Sequence, residues 1–162
     1  MRVYIPATLS MLERFVGDGV FQPLSGTAFA VTPALREAYS QGDDDQLGEV
    51  AIAEAALASL RLLASEPESR PRRAVLIVDA DATPRPDLDD AVVRIDGRVN
   101  MDQVAAVYVD NAEAEGAVRA AVAVIDDADL GDEDAELTVG DAQDHDLAWY
   151  DRTELPFLIE LL

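Results

Sequence analysis

Between Asp45 and Ser65 the sequence DQLGEVAIAEAALASLRLLAS carries apolar residues on almost every side of a helical projection. Leu47, Val50, Ile52, Leu57, Leu60, Leu62 and Leu63 spread around the circumference, and Glu54 and Arg61 mark a narrow polar strip. A helix that is apolar nearly all round is a buried one, so residues 46–65 are expected to form a long central helix. The alanines at 51, 53, 55, 56 and 58 would let neighbouring backbones come close. Glu54 and Arg61 should reach a groove at the rim, or pair with each other or with a third group.

The remaining pattern alternates short strands with short helices. RVYIPA (Arg2 to Ala7) alternates and reads as a strand, with Pro6 marking its end or an edge position. Leu9, Leu12, Phe15 and Val16 make a helical stripe that stops at Gly17-Asp18-Gly19; Ser10 with Glu13 has capping-box spacing, and Thr8 is the other candidate cap. VFQPLSG reads as a loop, and TAFAVT (Thr27 to Thr32) as a second strand. Thr32 then caps a helix with Pro33 at its first position, running to Gly42. Asp43, Asp44 and Asp45 sit against the positive N-terminal end of the long helix. The run Val75 to Val78 fits a strand covered on both faces. Residues 80 to 90 form an acidic, proline-punctuated loop, Ala91 to Ile95 a strand turned by Gly97, residues 100 to 103 one helical turn, and Ala105 to Asp110 another strand. Asn111 is the expected cap of a helix from Ala112 to Ile125, with Ala117, Val118, Ala121, Val122 and Ile125 facing inward. Asp126 to Asp134 is expected to be a mobile acidic loop, LAWYD an edge strand, and ELPFLIELL a terminal helix that docks on the body. The alternation predicts an α/β or α+β domain over 1–162, a single-layer mixed sheet of about five strands with helices packed on it.

Composition changes the picture chiefly through charge. Thirty-three acidic residues oppose twelve basic ones, all arginine, for a net charge of −21. That balance repels nucleic acid and anionic membranes, so neither is expected to be bound directly. A solvated acidic surface is the ordinary reading; a basic protein partner, or mimicry of nucleic acid, is the functional one. The absence of cysteine excludes disulfides and thiolate metal sites, and the single histidine, His145, excludes histidine pairs. No apolar run is long enough to span a bilayer and no signal pattern opens the chain, so the cytoplasm is the expected location. No sequence feature sets the oligomeric state.

Four stretches, MRVYIPATL, TAFAVTPALREAY, ASLRLLA and AWYDRTELPFL, together resemble a family of uncharacterised actinobacterial proteins, a domain of unknown function. They span nearly the whole chain, which implies a full-length domain. The resemblance brings no activity, ligand or catalytic residue with it.

VLIVDADAT, Val75 to Thr83, is the stretch most suggestive of chemistry. Asp79, Asp81 and Thr83 after four apolar residues match the D-x-D-x-T opening of haloacid-dehalogenase-like phosphatases. There the first aspartate attacks phosphorus, the second is acid and base, and both surround magnesium. Asp126 and Asp127 supply a later acidic pair. The chain lacks the lysine that chemistry requires, and the motif lies mid-chain rather than at its opening. Asp79 and Asp81 therefore remain the alternative catalytic residues, with Asp126 and Asp127 as added metal ligands, while the preferred reading assigns no catalytic residue, cofactor or metal. DDADLGDEDAE fits no EF-hand register, and no glycine-rich phosphate loop is present. His145, between Asp144 and Asp146, could join Ser10, Ser25, Ser40, Ser59 or Ser65 in a triad, yet no serine sits in a nucleophile elbow. Arg70, Arg72 and Arg73 read as a solubilising linker, and Tyr4, Phe29, Tyr108 and Trp149 as sheet-face residues. The sequence thus favours an acidic, non-enzymatic interaction or regulatory domain.

Overall fold

The computed structural model describes residues 1–39 and 41–161. Strand β1 (Arg2–Ala7) ends at Thr8, whose hydroxyl caps α1 (Leu9–Asp18) by accepting the Met11 N–H at 3.1 Å. Thr8, not Ser10, is therefore the cap, and Gly19 ends α1 at φ +78°, a left-handed conformation that glycine takes without strain. The chain continues through β2 (Val20–Phe21), a tight turn and β3 (Thr27–Phe29) to α2 (Pro33–Ala38). As expected, Thr32 caps α2 by accepting from Leu35, with Pro33 at its start.

The long helix α3 spans Asp44–Ser65. Asp43 accepts the Gln46 N–H at 2.9 Å, the Gln46 side chain accepts the Asp43 N–H at 3.1 Å, and Asp44 and Asp45 occupy the first turn. The triple aspartate is thus a capping and dipole device.

After α3 come β4 (Ala74–Asp79), β5 (Ala82–Pro84), β6 (Val92–Ile95), β7 (Val99–Asn100) and β8 (Val104–Asp110). The last segment holds α4 (Glu115–Asp129), α5 (Glu133–Gln143), β9 (Leu147–Asp151) and α6 (Leu155–Leu161). Seven strands form one sheet in the order β5-β6-β3-β1-β4-β8-β9, every neighbouring pair antiparallel; β2 and β7 pair separately.

The expected mixed sheet of about five strands is therefore corrected to an antiparallel sheet of seven. A continuous Val-Leu-Ile-Val run is the usual mark of a parallel strand, but what it reports is cover on both faces. Here that cover comes from helices on both sides of an antiparallel sheet.

On one face, Val3, Ile5, Leu76, Val78, Val107 and Val109 pack with Leu12 and Phe15 of α1 and Leu155 and Leu158 of α6. On the other, Phe29 and Val75 pack with Leu47, Ala51 and Ala55 of α3, and partly buried Tyr4 and Tyr108 join them. The back of α3 is covered in turn: Leu60 and Leu63 meet Val118, Ala121 and Ile125 of α4 and Val139 and Ala142 of α5. This double cover is why α3 is apolar nearly all round. Gly48 has a steric role as well, because a Cβ there would lie 3.3 Å from the Tyr4 hydroxyl. Ser59, fully buried on α3, donates to the Ala7 carbonyl at 2.7 Å and accepts the Ala74 N–H at 3.1 Å. It fastens the helix to the sheet where β1 ends and β4 begins.

The polar strip of α3 behaves as expected of an exception. Arg61 reaches across to α4 and makes two bonds of 2.9 Å to the Asp129 carboxylate. Its hydrogen bonds hold the Asp129 carboxyl below the usual range. Glu54 is half-buried; burial first, then the charge of Asp89, push its carboxyl upward against the pull of Arg61.

The largest departure is at 126–143. Asp126 to Asp129 are the last turn of α4, Gly131 turns the chain at φ +96°, and Asp132 caps α5 by accepting the Ala135 N–H. Glu133, Asp134 and Glu136 fill the first turn of α5, where carboxylates complement the helix dipole. The acidic block is therefore a helix boundary and not a mobile loop. Asn111 makes no side-chain cap, and a 3-10 turn at Ala112–Ala114 precedes α4.

Candidate functional site

At the start of β4, Arg73 and Asp110 form an ion pair whose side chains are 2% and 0% exposed. The Asp110 carboxylate takes the Arg73 Nη2 at 2.7 Å, and its Nε and backbone N–H at 2.8 Å each. The Asp110 N–H returns to the Arg73 carbonyl at 3.1 Å. Two more acceptors bring the bonded N–H groups of the guanidinium to four of its five: Gln143 Oε1 on Nη1 at 2.9 Å and the His145 carbonyl on Nη2 at 2.8 Å. Desolvating two charges costs several kcal/mol each, and only a well-bonded geometry of this kind offsets it. Gln143 also donates to the Ala53 carbonyl at 3.0 Å, which ties the end of α5 to both α3 and Arg73.

Above this pair lies an open cleft of about 540 Å³ between α3 and the β8–β9 edge of the sheet. Glu49, Ile52, Ala53 and Ala56 of α3 form one wall; Tyr108 and Leu147 come from the sheet, and His145 and Asp146 from the turn before β9. Because Asp110 neutralises Arg73, the cleft's net charge is set by Glu49 and Asp146. Neither carboxylate has an ion pair among the described residues. Trp149, 55% exposed, stands on the same sheet face directly opposite Tyr108. The arrangement suits a cationic group: two free carboxylates, an aromatic ring at the margin and a neutralised floor.

The residues singled out in the sequence are placed elsewhere or play other parts. Asp79 ends β4 at the opposite tip from Arg73; its carboxylate is 62% exposed and accepts from Arg2 Nε at 3.2 Å. Asp81 is exposed on the adjoining loop, and Asp126 and Asp127 lie in the last turn of α4. Among the described residues these four are not gathered into a cluster of three or more carboxylate or histidine ligands. His145 lines the cleft without a serine beside it. Ser59 is the structural clasp already described, Ser25 sits in a turn at φ +57°, Ser10 donates its N–H to Ser69, and Ser65 ends α3. Ser40 lies outside the described residues. The arginine trio is not a linker: Arg72 and Arg70 pair with Glu115 at 3.1 and 3.5 Å, and Arg73 is the cleft floor. Sequence reasoning missed the Arg73–Asp110 pair. The one signal for it was an aspartate ending an otherwise apolar strand.

No helix among the described residues is long and apolar enough to cross a membrane. The fold and the cleft define a mixed α/β protein with an acidic, aromatic-edged groove. The chain belongs to DUF6912, a family of unknown function whose model matches residues 1–159. No curated protein and no solved structure matches it.

Proposed function

We propose that this protein is a non-enzymatic interaction domain that takes a basic protein partner. The observation that carries the reading is how the charges are distributed. Among the described residues eight of the twelve arginines are ion-paired, and these pairs engage seven of the thirty-three acidic residues. The cations are thus largely consumed internally and a wide carboxylate surface is left to solvent. Such a surface steers oppositely charged partners and repels like-charged ones. The cleft adds a localised point of contact, since Glu49 and Asp146 line it and exposed Trp149 lies across from its lining residue Tyr108.

Capture from native lysate, followed by a salt titration, tests this. A basic protein should be retained at low ionic strength and released as salt rises beyond about 0.15 M, where screening falls to about 8 Å. Capture of nothing at low salt, or retention indifferent to salt, overturns the reading. Displacement of the captured protein by DNA would reassign the acidic surface to nucleic-acid mimicry.

A further inference from the structure

The two edges of the seven-stranded sheet are finished differently. At one, β5 is three residues long and ends in Pro84, which lacks an N–H to offer. Short length and proline are the usual ways an edge is closed to further pairing. At the other, β9 presents five residues, LAWYD, with no proline, glycine or basic residue. Its register with β8 is unbroken from Asp110↔Leu147 to Ala106↔Asp151. Among the described residues the β9 backbone has no hydrogen-bonding strand other than β8. In an antiparallel strand alternate residues turn N–H and C=O away from the existing partner, so the outer side of β9 carries unpaired donors and acceptors.

We propose that β9 receives an extended, arginine- or lysine-rich segment of the partner protein as an eighth strand. The inference rests on the basic-partner reading above and specifies its geometry. Side chains on an added strand alternate between the two faces. Those on the α3 face stand beside Leu147 and Trp149, at the open side of the cleft. A cationic side chain there meets the free carboxylates of Glu49 and Asp146 and the exposed ring of Trp149. Main-chain hydrogen bonds provide the affinity and the cleft selects the side chain, which is the division of labour in strand addition. A second copy of this chain is a poor occupant, because each copy brings a net charge of −21 and its own Asp144 and Asp146 beside the same strand.

The test uses the full-length protein and a short peptide alternating arginine with valine. Two further peptides of identical sequence carry N-methyl groups on alternate backbone amides, one peptide for each register, so that the charge is kept while strand pairing is lost along one edge or the other. The unmethylated peptide should bind with a shift in the emission of Trp149, the sole tryptophan. Methylation in one register should weaken binding at least about tenfold, and so should Glu49→Gln with Asp146→Asn. Equal binding of all the peptides overturns strand addition while leaving the basic-partner reading intact. No binding of the unmethylated peptide, by a protein that still captures a basic partner from lysate, also overturns it. So does a concentration-dependent dimer that excludes the peptide.

Discussion

The two ends of β4 carry opposite lessons. At its far end stands Asp79, which opens the most motif-like stretch of the sequence; there the carboxylate is exposed and held by a solvent-facing Arg2. At its near end stands Arg73, which reads in sequence only as part of a solubilising arginine cluster, and whose buried guanidinium is bonded to Asp110, Gln143 and the His145 carbonyl. The first end is a local pattern with little structure behind it. The second is a structural centre with no local pattern, because its members are 37, 70 and 72 residues apart. Short motifs advertise what neighbours in sequence can do, whereas burial decides which charges the fold depends on.

Four substitutions break or sharpen this contrast. Asp110→Ala strands a buried guanidinium and should cost about 3–5 kcal/mol in urea unfolding; a loss below about 1 kcal/mol would mean that water or another carboxylate replaces it. Ser59→Ala, at the same end of β4, leaves the Ala74 N–H and the Ala7 carbonyl without their partner. The expected cost is about 1–3 kcal/mol, with Ser59→Thr and Ser59→Cys as controls for packing.

Arg61→Gln removes the bonds that depress the Asp129 carboxyl. A lowered carboxyl makes the unfolded state bind more protons, so the pair's contribution is complete above the free-aspartate value of about 3.9 and fades as pH falls through the folded value. The variant should therefore be weaker than wild type by at most about 1 kcal/mol at pH 7, as befits a partly exposed pair. The gap should close in unfolding curves taken below about pH 4. A gap that widens on acidification contradicts the sign.

Asp79→Asn should change stability least, within about 0.5 kcal/mol. Magnesium titration followed by NMR gives this end of the strand its own decision. Shifts confined to residues 79–83, lost in the variant, would return the hydrolase reading to Asp79 and Asp81.

Much of the architecture was legible because it rests on local periodicity. The all-round apolar pattern of α3, the Thr32-Pro33 start of α2 and the aspartates at the start of α3 each follow from residues within one or two turns of each other. LAWYD is the edge strand its pattern suggested. Strands of two or three residues, such as β2, β5 and β7, are too short to show a period. The stretch 126–134 was misread because acidic composition looks the same in a solvated loop and in a helix boundary; the difference lies in Asp132 capping α5 and Arg61 meeting Asp129. The cleft was the least legible part. His145, Trp149 and Arg73 were each visible singly, but only the antiparallel register and the return of α5 onto α3 bring their neighbourhoods together.

Gln143 gives that return a dynamic meaning. It is the last residue of α5, and its amide spans Ala53 on α3 and the Arg73 guanidinium. The α4–α5 hairpin covers the back of α3 and cannot swing away without releasing Gln143 from Arg73. Opening of the hairpin and uncovering of the buried cation are thus one cooperative event, so the amides of α5 and the donors of Arg73 should share a single hydrogen-exchange free energy. The packing behind α3 thereby acts as the latch on the floor of the groove in front of it.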